Sequence, residues 1–285
     1  MELFQKITVQ IVLYEEDKEM VFNCLNKLKK FKIIILDNSG NYNLKDEVLK
    51  NFKIENYILE KKNLGYSKGH NKASTYINTE YLLILNADCN IDEVNVHNLL
   101  LAFEKYKDCA IAAPTTYDKE MKISYNGGLL PENGHKERIT SIDGDTCFES
   151  VLGSAMLIKK EDFIDIGKFN ENLFLFYSDD DLCRKFKNSK KSVLQICSAK
   201  AYHSHGVSKV KNIFKRIYLK EFNMTFDELF YHSMIVKNDD KFYKLKKKIF
   251  NYFLKFLLSF LLLNFKKVTF YFAKILAFYK FKAIR

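Results

Sequence analysis

The chain has 285 residues, of which 47% are hydrophobic, and its six cysteines form no C-x-x-C pair. This length and composition suit one large α/β domain or one domain with an appendage, and the cysteine spacing excludes a zinc site of the common Cys-pair type. No apolar signal segment begins the chain, so we expect a cytosolic protein with reduced thiols.

The net charge of +11 is concentrated at one end of the chain. Residues 241–285 contain 12 Lys or Arg and no Asp or Glu, which leaves 34 basic and 35 acidic residues in 1–240. Because the first 240 residues are close to neutral, the charge disfavours a nucleic-acid-binding protein. It predicts instead that the tail meets an anionic surface.

Apolar runs alternate with amphipathic segments from the first strand onward. The alternation predicts an α/β fold with a mostly parallel sheet flanked by helices. The expected strands are 7–14, 32–36, 54–59, 81–85, 109–113, 151–158, 192–196 and 200–202. The expected helices are 15–30, 42–51, a segment that follows a two-glycine loop at 62–73 and ends near 78, 93–106, 160–166, and one that starts at Asp179.

Polar residues stand at the carboxyl ends of two predicted strands. Asp37 follows the second strand, while Asn86 and Asp88 follow the run Tyr81-Leu82-Leu83-Ile84-Leu85. Ligands in open α/β sheets bind outside the carboxyl ends of the strands, and alternate residues share one face. A carboxylate there suits a divalent cation that bridges substrate phosphates. A simple Asx-turn is the alternative interpretation of Asp88.

Two further clusters could carry chemistry. Three consecutive aspartates, Asp179 to Asp181, begin a predicted helix, where acidic residues also act as ordinary caps. His203 and His205 follow a predicted strand and could serve a metal or a phosphate, although a single histidine is usually structural. The glycine loop at 62–73 matches neither G-x-G-x-x-G nor a Walker lysine pattern.

Taken together, these blocks resemble the family 2 glycosyltransferases of the GT-A fold, especially their bacterial rhamnosyltransferase-like branch. The resemblance runs in order from about Ile7 to Ser208. Its motifs are the opening V-x-L-Y strand, LDNSG at 36–40, NLGYSKGHNKA at 63–73, LLILNADCN at 82–90, GSAMLIKKEDFIDIGKFNENLFLFYSDDDLCRK at 153–185 and HSHGVS at 203–208. Ser178 stands where the family usually has Glu, and Asp180 occupies a position that is often apolar.

The resemblance implies a role for each matched residue. Asp179 is expected to be the general base, with Asp181 as the second acid, and Asp88 and His203 are expected at the metal and diphosphate. The expected nucleotide-binding residues are Tyr14, Asp37, Asn63, Gly65, Asn71 and Asn86. Mg²⁺ or Mn²⁺ is the implied cofactor, and a single displacement with inversion is the implied mechanism.

The expected reaction moves a sugar from a UDP- or dTDP-activated donor to a lipid-linked or surface glycan. We expect a catalytic domain at 1–208, a helical linker at 209–240 and a basic amphipathic tail at 241–285 that binds the inner face of the cell membrane. The tail is expected to form one helix, or a pair of helices broken near 264–267. Packing of the tail on the catalytic domain or on a second subunit is the alternative. A non-catalytic tethered nucleotide-sugar-binding protein and a sugar nucleotidyltransferase are the rival functions.

Overall fold

The computed structural model describes residues 2–123, 127–134, 143–204, 210, 212–235 and 240–284. The chain divides into two units: the first comprises residues 1–171 and 178–207, and the second comprises 172–177 and 208–285. None of the six cysteines, all of which are described, forms a disulfide.

The described part of the first unit contains nine strands and seven helices. The strands are β1 (Ile7–Leu13), β2 (Lys32–Asp37), β3 (Asn56–Leu59), β4 (Tyr81–Leu85), β5 (Cys89–Asn90), β6 (Cys109–Tyr117), β7 (Thr146–Phe148), β8 (Ala155–Lys159) and β9 (Ser192–His203). The helices are α1 (Glu2–Gln5), α2 (Lys18–Asn26), α3 (Tyr42–Asn51), α4 (Gly65–Ser74), α5 (Glu93–Lys105), α6 (Lys160–Asp165) and α7 (Ser178–Asn188).

The strands form a sheet of order β3-β2-β1-β4-β8-β6-β9-β5, with β7 also paired to β9. Strands β1 to β4 pair in parallel, so that Leu13 lies opposite Asp37 and Ile11 lies opposite Leu85. Strand β8 runs antiparallel to both β4 and β6, which makes the sheet mixed. The chain leaves β1 towards β2 on one side and β4 on the other, and such a switch point opens a crevice at the carboxyl ends.

Continuous apolar runs form the central strands because both faces of the sheet are covered. Along β2, Ile33 and Ile35 face one hydrophobic cluster while Ile34 and Leu36 face the other. Each fully buried side chain of this size contributes roughly 1.5–3 kcal/mol. Asp37 ends β2, and Asn86 and Asp88 fall just beyond β4.

Several element boundaries differ from the prediction, and the differences in α4, β8 and β9 are among the largest. Helix α4 already begins at Gly65, within the segment predicted as a loop, and a Cβ at Gly69 would lie 3.0 Å from the Val12 side chain. Residues 192–203 form one strand, because a register irregularity against β6 absorbs the residues between Ile196 and Lys200. Strand β8 starts only at Ala155, which leaves Gly153 and Ser154 in the preceding turn.

The second unit consists, within the described residues, of α8 (Ile213–Ile235), α9 (Asp240–Leu261) and α10 (Phe265–Ile284). Phe226 and Leu229 of α8 pack against Phe278 and Phe281 of α10. The predicted tail therefore packs partly on the predicted linker. The break between α9 and α10 falls at residues 262–264, next to the predicted break at 264–267. In the described part of the chain, we find no helix with the length and apolar character needed to cross a bilayer.

Candidate active site

Acidic side chains gather at the carboxyl ends of β1, β2 and β4. The Glu16 carboxylate turns back and accepts a hydrogen bond from the Tyr14 N–H at 2.7 Å. Burial raises the pKa of Glu16 to about 8, and the negative charges of Asp88 and Asp37 add to this rise. Glu16 therefore lies close enough to Asp88 and Asp37 for their charges to act on it.

Asp88 and His203 contact each other at the end of the sheet, although 115 residues separate them in the sequence. The His203 Nε2 atom lies 3.1 Å from an Asp88 carboxylate oxygen. The pairing of Cys89 with His203 between β5 and β9 brings them together, and the Ser204 N–H donates to the Asp88 carbonyl at 3.0 Å. The structure thus brings together the two residues that the resemblance assigns to the metal and diphosphate.

The chemistry of this pair fits a divalent cation. A carboxylate oxygen and an imidazole nitrogen are ligands that Mn²⁺ accepts, and Mg²⁺ in phosphate-transfer sites often has one or two protein carboxylates with substrate oxygens. No group of three or more such side chains occurs among the residues that the structure covers. A bound cation would therefore be held by Asp88 and His203 and completed by substrate oxygens. His205, Gly206 and Ser208 lie outside the described residues.

Asp179 lies in the first turn of α7, against the turn that precedes β8. The Gly153 N–H donates to Asp179 Oδ2 at 3.0 Å, and the Tyr66 hydroxyl donates to the Gly153 carbonyl at 2.8 Å. The next residue, Ser154, accepts a hydrogen bond from the Asn86 N–H at 2.9 Å. Two adjacent residues of one turn thus connect Asp179 to the polar end of β4.

The other residues of the aspartate cluster are buried. Asp180 accepts a hydrogen bond from the Ser150 hydroxyl at 2.6 Å. The fully buried Asp181 pairs with Arg184, and its second oxygen lies 3.4 Å from Lys185 Nζ. Ser178, at the position of the usual Glu, shares a hydrogen bond of 2.8 Å with Ser67. Of the three aspartates, Asp179 alone is partly exposed.

Several predicted nucleotide-binding residues hold their own loops. The buried Asp37 carboxylate accepts from the Ser39 N–H and hydroxyl and from the Tyr57 hydroxyl at 2.8, 2.6 and 2.8 Å. Asn63 accepts from the Gly65 N–H at 2.9 Å, at the start of α4. The Asn71 amide pairs with both main-chain groups of Phe169 at 2.9 and 3.0 Å. These contacts hold the turn after β2, the start of α4 and the junction of α4 with Phe169.

The sequence reasoning did not identify Glu16 as a site residue. The acidic run Glu15-Glu16-Asp17 predicts a helix start, and Asp17 indeed caps α2. Glu15 has a positive φ of 57°, and this tight turn returns Glu16 towards the end of β1. The sequence gives no distinct signal for this turn, because a non-glycine residue rarely adopts such a φ. Tyr66 and Gly153 were also missed.

The protein has a GT-A-type α/β fold, as the sequence predicts. Acidic side chains gather at the ends of its strands β1, β2 and β4. The model of the family described as "Glycosyl transferase family 2" matches residues 8–166, which make up more than half of the chain. The chain therefore belongs to glycosyl transferase family 2.

Relatives of known name place the chain near one branch of this family. The dTDP-rhamnosyl transferase RfbF of Shigella flexneri is 26% identical over 208 residues, with 70% of each chain covered. The rhamnosyltransferase WbbL of Escherichia coli K12 is 25% identical over 190 residues, which cover 58% of this chain and 70% of that protein. These similarities confirm the predicted resemblance to the rhamnosyltransferase-like branch.

The structure also resembles solved glycosyltransferase structures. The crystal structure of GalNAc-T7 with UDP, GalNAc and Mn²⁺ superposes with a TM-score of 0.58 at 14% sequence identity. The match covers 70% of this chain and 43% of that one, so this chain corresponds to less than half of that protein. At this identity the likeness supports the shared fold alone.

Proposed function

We propose that the protein is a metal-dependent, inverting glycosyltransferase that transfers a sugar from a dTDP- or UDP-activated donor to a hydroxyl of a lipid-linked or surface glycan. The observation that carries this proposal is the convergence at one end of the sheet of an Asp88–His203 pair and the partly exposed Asp179. The name of the Shigella flexneri relative favours dTDP over UDP and rhamnose as the sugar.

Asp179 is the proposed general base. A sugar hydroxyl has a pKa far above 7, so a nearby carboxylate must accept its proton as the new bond forms. Asp179 is partly exposed and held by a main-chain N–H of Gly153, whereas Asp181 is buried and paired with Arg184. We therefore assign proton transfer to Asp179 and give Asp181 the role of fixing the first turns of α7.

The donor side of the site is proposed to lie at the ends of β1, β2 and β4. Tyr14 and Asn86 are the proposed nucleotide contacts, and Glu16 joins them because it lies in the field of Asp37 and Asp88. Asp37, Asn63, Gly65 and Asn71 would shape this pocket through the loop contacts described above. Asp88 and His203 would hold Mg²⁺ or Mn²⁺, which supplies positive charge to the leaving diphosphate.

A binding panel tests the donor assignment. Calorimetric titration of the full chain with dTDP-, UDP- and GDP-sugars in Mn²⁺ should show binding of a dTDP- or UDP-sugar that EDTA removes. If no nucleotide sugar of the panel bound, the proposed class of donor would be refuted. Binding that EDTA did not affect would refute the proposed metal dependence. Retention of anomeric configuration in the product NMR spectrum would contradict inversion.

We also propose that the helical tail places the enzyme on the inner face of the cell membrane. The end of α9 and the following turn expose Leu261, Leu262 and Leu263 by 78%, 69% and 70%. Lys255, Lys266 and Lys267 are exposed nearby in the sequence. An apolar tip with basic neighbours suits an anionic leaflet, where each basic residue contributes about 1 kcal/mol.

Flotation with vesicles tests the membrane proposal. The variant Leu261→Glu/Leu262→Glu should lose flotation with phosphatidylcholine–phosphatidylglycerol vesicles. Leu49→Glu/Leu101→Glu, which changes two exposed leucines of α3 and α5, should float like the wild type. Point variants are preferable to a truncation at residue 240, because loss of α10 would uncover Phe226 and Leu229 of α8. Equal flotation of the two variants would refute the proposal.

A further inference from the structure

A short peptide, the strap of residues 172–177, leads into α7, the helix that carries Asp179, and is held by α8 of the second unit. Residues 172–177 belong to that unit, and Ser178 begins α7 immediately afterwards. Three successive main-chain N–H groups, those of Phe174, Leu175 and Phe176, donate to the Asp227 carboxylate, each at 2.9 Å. Asp227 lies in the middle of α8.

The Asp227 carboxylate is completely buried, with 0% of the residue exposed. Burial raises its pKa, while the three N–H groups and the charge of Lys280 act in the opposite direction. A buried carboxylate is unfavourable unless donors surround it, and successive N–H groups curved around one anion are a favourable arrangement. The contact therefore determines the backbone curvature of residues 174–176.

The next residue is also held in an unfavourable conformation. Tyr177 has a φ of 61°, in the left-handed region that aromatic side chains seldom adopt. Its ring lies 5.1 Å from that of Tyr231 and 6.1 Å from that of His232, both on α8. Such a conformation persists only where the surroundings fix it, so these contacts constrain the chain at the point where α7 begins.

We propose that Asp227 and Tyr231 are positioning residues for the transfer reaction, because they fix the peptide that places Asp179 at the start of α7. This inference rests on the proposed role of Asp179 as the base. Two residues separate the last peptide held by Asp227 from Asp179, so release of the strap would shift or loosen the first turn of α7.

The expected effect is confined to the chemical step. Misplacement of a catalytic group by about 1 Å costs on the order of 100-fold in rate, while the donor pocket retains its residues. Asp227→Asn keeps the size of the side chain but replaces one acceptor oxygen with an NH₂ donor, which faces an N–H group. We expect its kcat to fall about tenfold or more, with the donor Kd changed less than twofold.

A matched control separates positioning from stability. Glu221, also on α8 and buried, pairs with Lys274 at 2.9 Å and makes no described contact with residues 172–177. Glu221→Gln removes a buried charge from the same helix. The kcat of Glu221→Gln should remain within about twofold of the wild-type value. Both full-length proteins should be assayed well below the Tm of the less stable one.

A second variant keeps the inference testable if Asp227→Asn does not fold. Tyr177→Gly removes the ring contact with Tyr231, and glycine adopts the required φ without strain. It should fold, bind donor and lose kcat about tenfold. A wild-type kcat in Tyr177→Gly or in folded Asp227→Asn would refute the positioning role of Asp227 and Tyr231. An equal loss of kcat in Glu221→Gln would refute it as well. Full activity of Asp179→Asn would instead refute the proposed base, so the two failures are distinguishable.

Discussion

Substitution of Gly153 by Ala should displace the proposed base without touching the donor pocket. A Cβ at Gly153 would lie 3.0 Å from Asp179 Cβ, 3.0 Å from the Tyr66 hydroxyl and 3.4 Å from Asp179 Cγ. Real Cβ contacts are rarely so close, so Asp179 or Tyr66 must move by a few tenths of an ångström. Overpacking of this kind costs about 1–3 kcal/mol of stability.

The displacement has a larger consequence for rate than for stability. The Gly153 N–H is the donor that holds Asp179 Oδ2 at 3.0 Å, so the same substitution disturbs both partners of that bond. With about 100-fold lost per 1 Å of misplacement, we expect kcat to fall about 10- to 100-fold. Steady-state release of nucleoside diphosphate, with donor Kd from calorimetry, measures the two effects separately.

A double variant identifies which contact matters. Tyr66→Phe removes the hydroxyl that the new methyl group would meet, but leaves the contact with Asp179. Gly153→Ala/Tyr66→Phe should therefore regain part of the lost stability relative to Gly153→Ala and remain slow. If Gly153→Ala transferred sugar at the wild-type rate, or if removal of the Tyr66 hydroxyl restored the rate, Asp179 would not be the displaced group.

Three further substitutions test other parts of the structure. Because the folded chain retains a proton on Glu16 between pH 4.5 and about 8, its free energy of unfolding should fall as pH rises through that interval. This fall amounts to at most about 1.4 kcal/mol per pH unit, and Glu16→Gln should remove it. Urea unfolding at pH 5 and pH 8 measures the fall in both proteins, and an equal fall in the variant would contradict the raised pKa of Glu16. His203→Ala should raise the Mn²⁺ concentration for half-maximal transfer about tenfold or more, and an unchanged value would exclude His203 as a ligand. Lys274→Met, which leaves Glu221 buried without its cation, should lower stability by about 3–5 kcal/mol in thermal unfolding, and a loss below about 1 kcal/mol would contradict a buried pair.

Hydrophobic pattern was sufficient for most of the first unit. The run Ile33 to Leu36 is apolar at every position, and only a strand buried on both faces accommodates it, so β2 and β4 were predicted with small errors. Elements whose limits depend on partners were less accurate. Strand β8 starts at Ala155 because the preceding turn receives Asp179 and Asn86, and no local pattern contains that information.

The same division applies to the site. Asp88 follows the end of β4 and His203 is the last residue of β9, so topology and the family resemblance were enough to predict their proximity. The spacing of three and four residues on a helix also predicts the pairing of Asp181 with Arg184 and Lys185. Glu16 and Asp227 were not predictable, because their contacts depend on a left-handed turn at Glu15 and on a peptide distant in sequence.

The tail illustrates a third case. The apolar run and the polar residues at 264–267 allowed a break between two helices to be predicted there, and the break lies at 262–264. Composition could not show that Phe278 and Phe281 pack against α8, because the same apolar face would suit a membrane or a protein partner. The leucines at 261–263 are among the apolar side chains of the tail that stay exposed.

Transfer by Asp179→Asn compared with Asp181→Asn tests the account most directly. Both variants should be assayed as full-length proteins with the donor that binds in the calorimetric panel and a lipid extract that contains the acceptor. A general base contributes about 10²–10⁴ to the rate, so Asp179→Asn should slow transfer by that factor and leave the donor Kd unchanged. Folded Asp181→Asn should retain measurable transfer. Wild-type transfer by Asp179→Asn, with transfer abolished in folded Asp181→Asn, would contradict the proposed site.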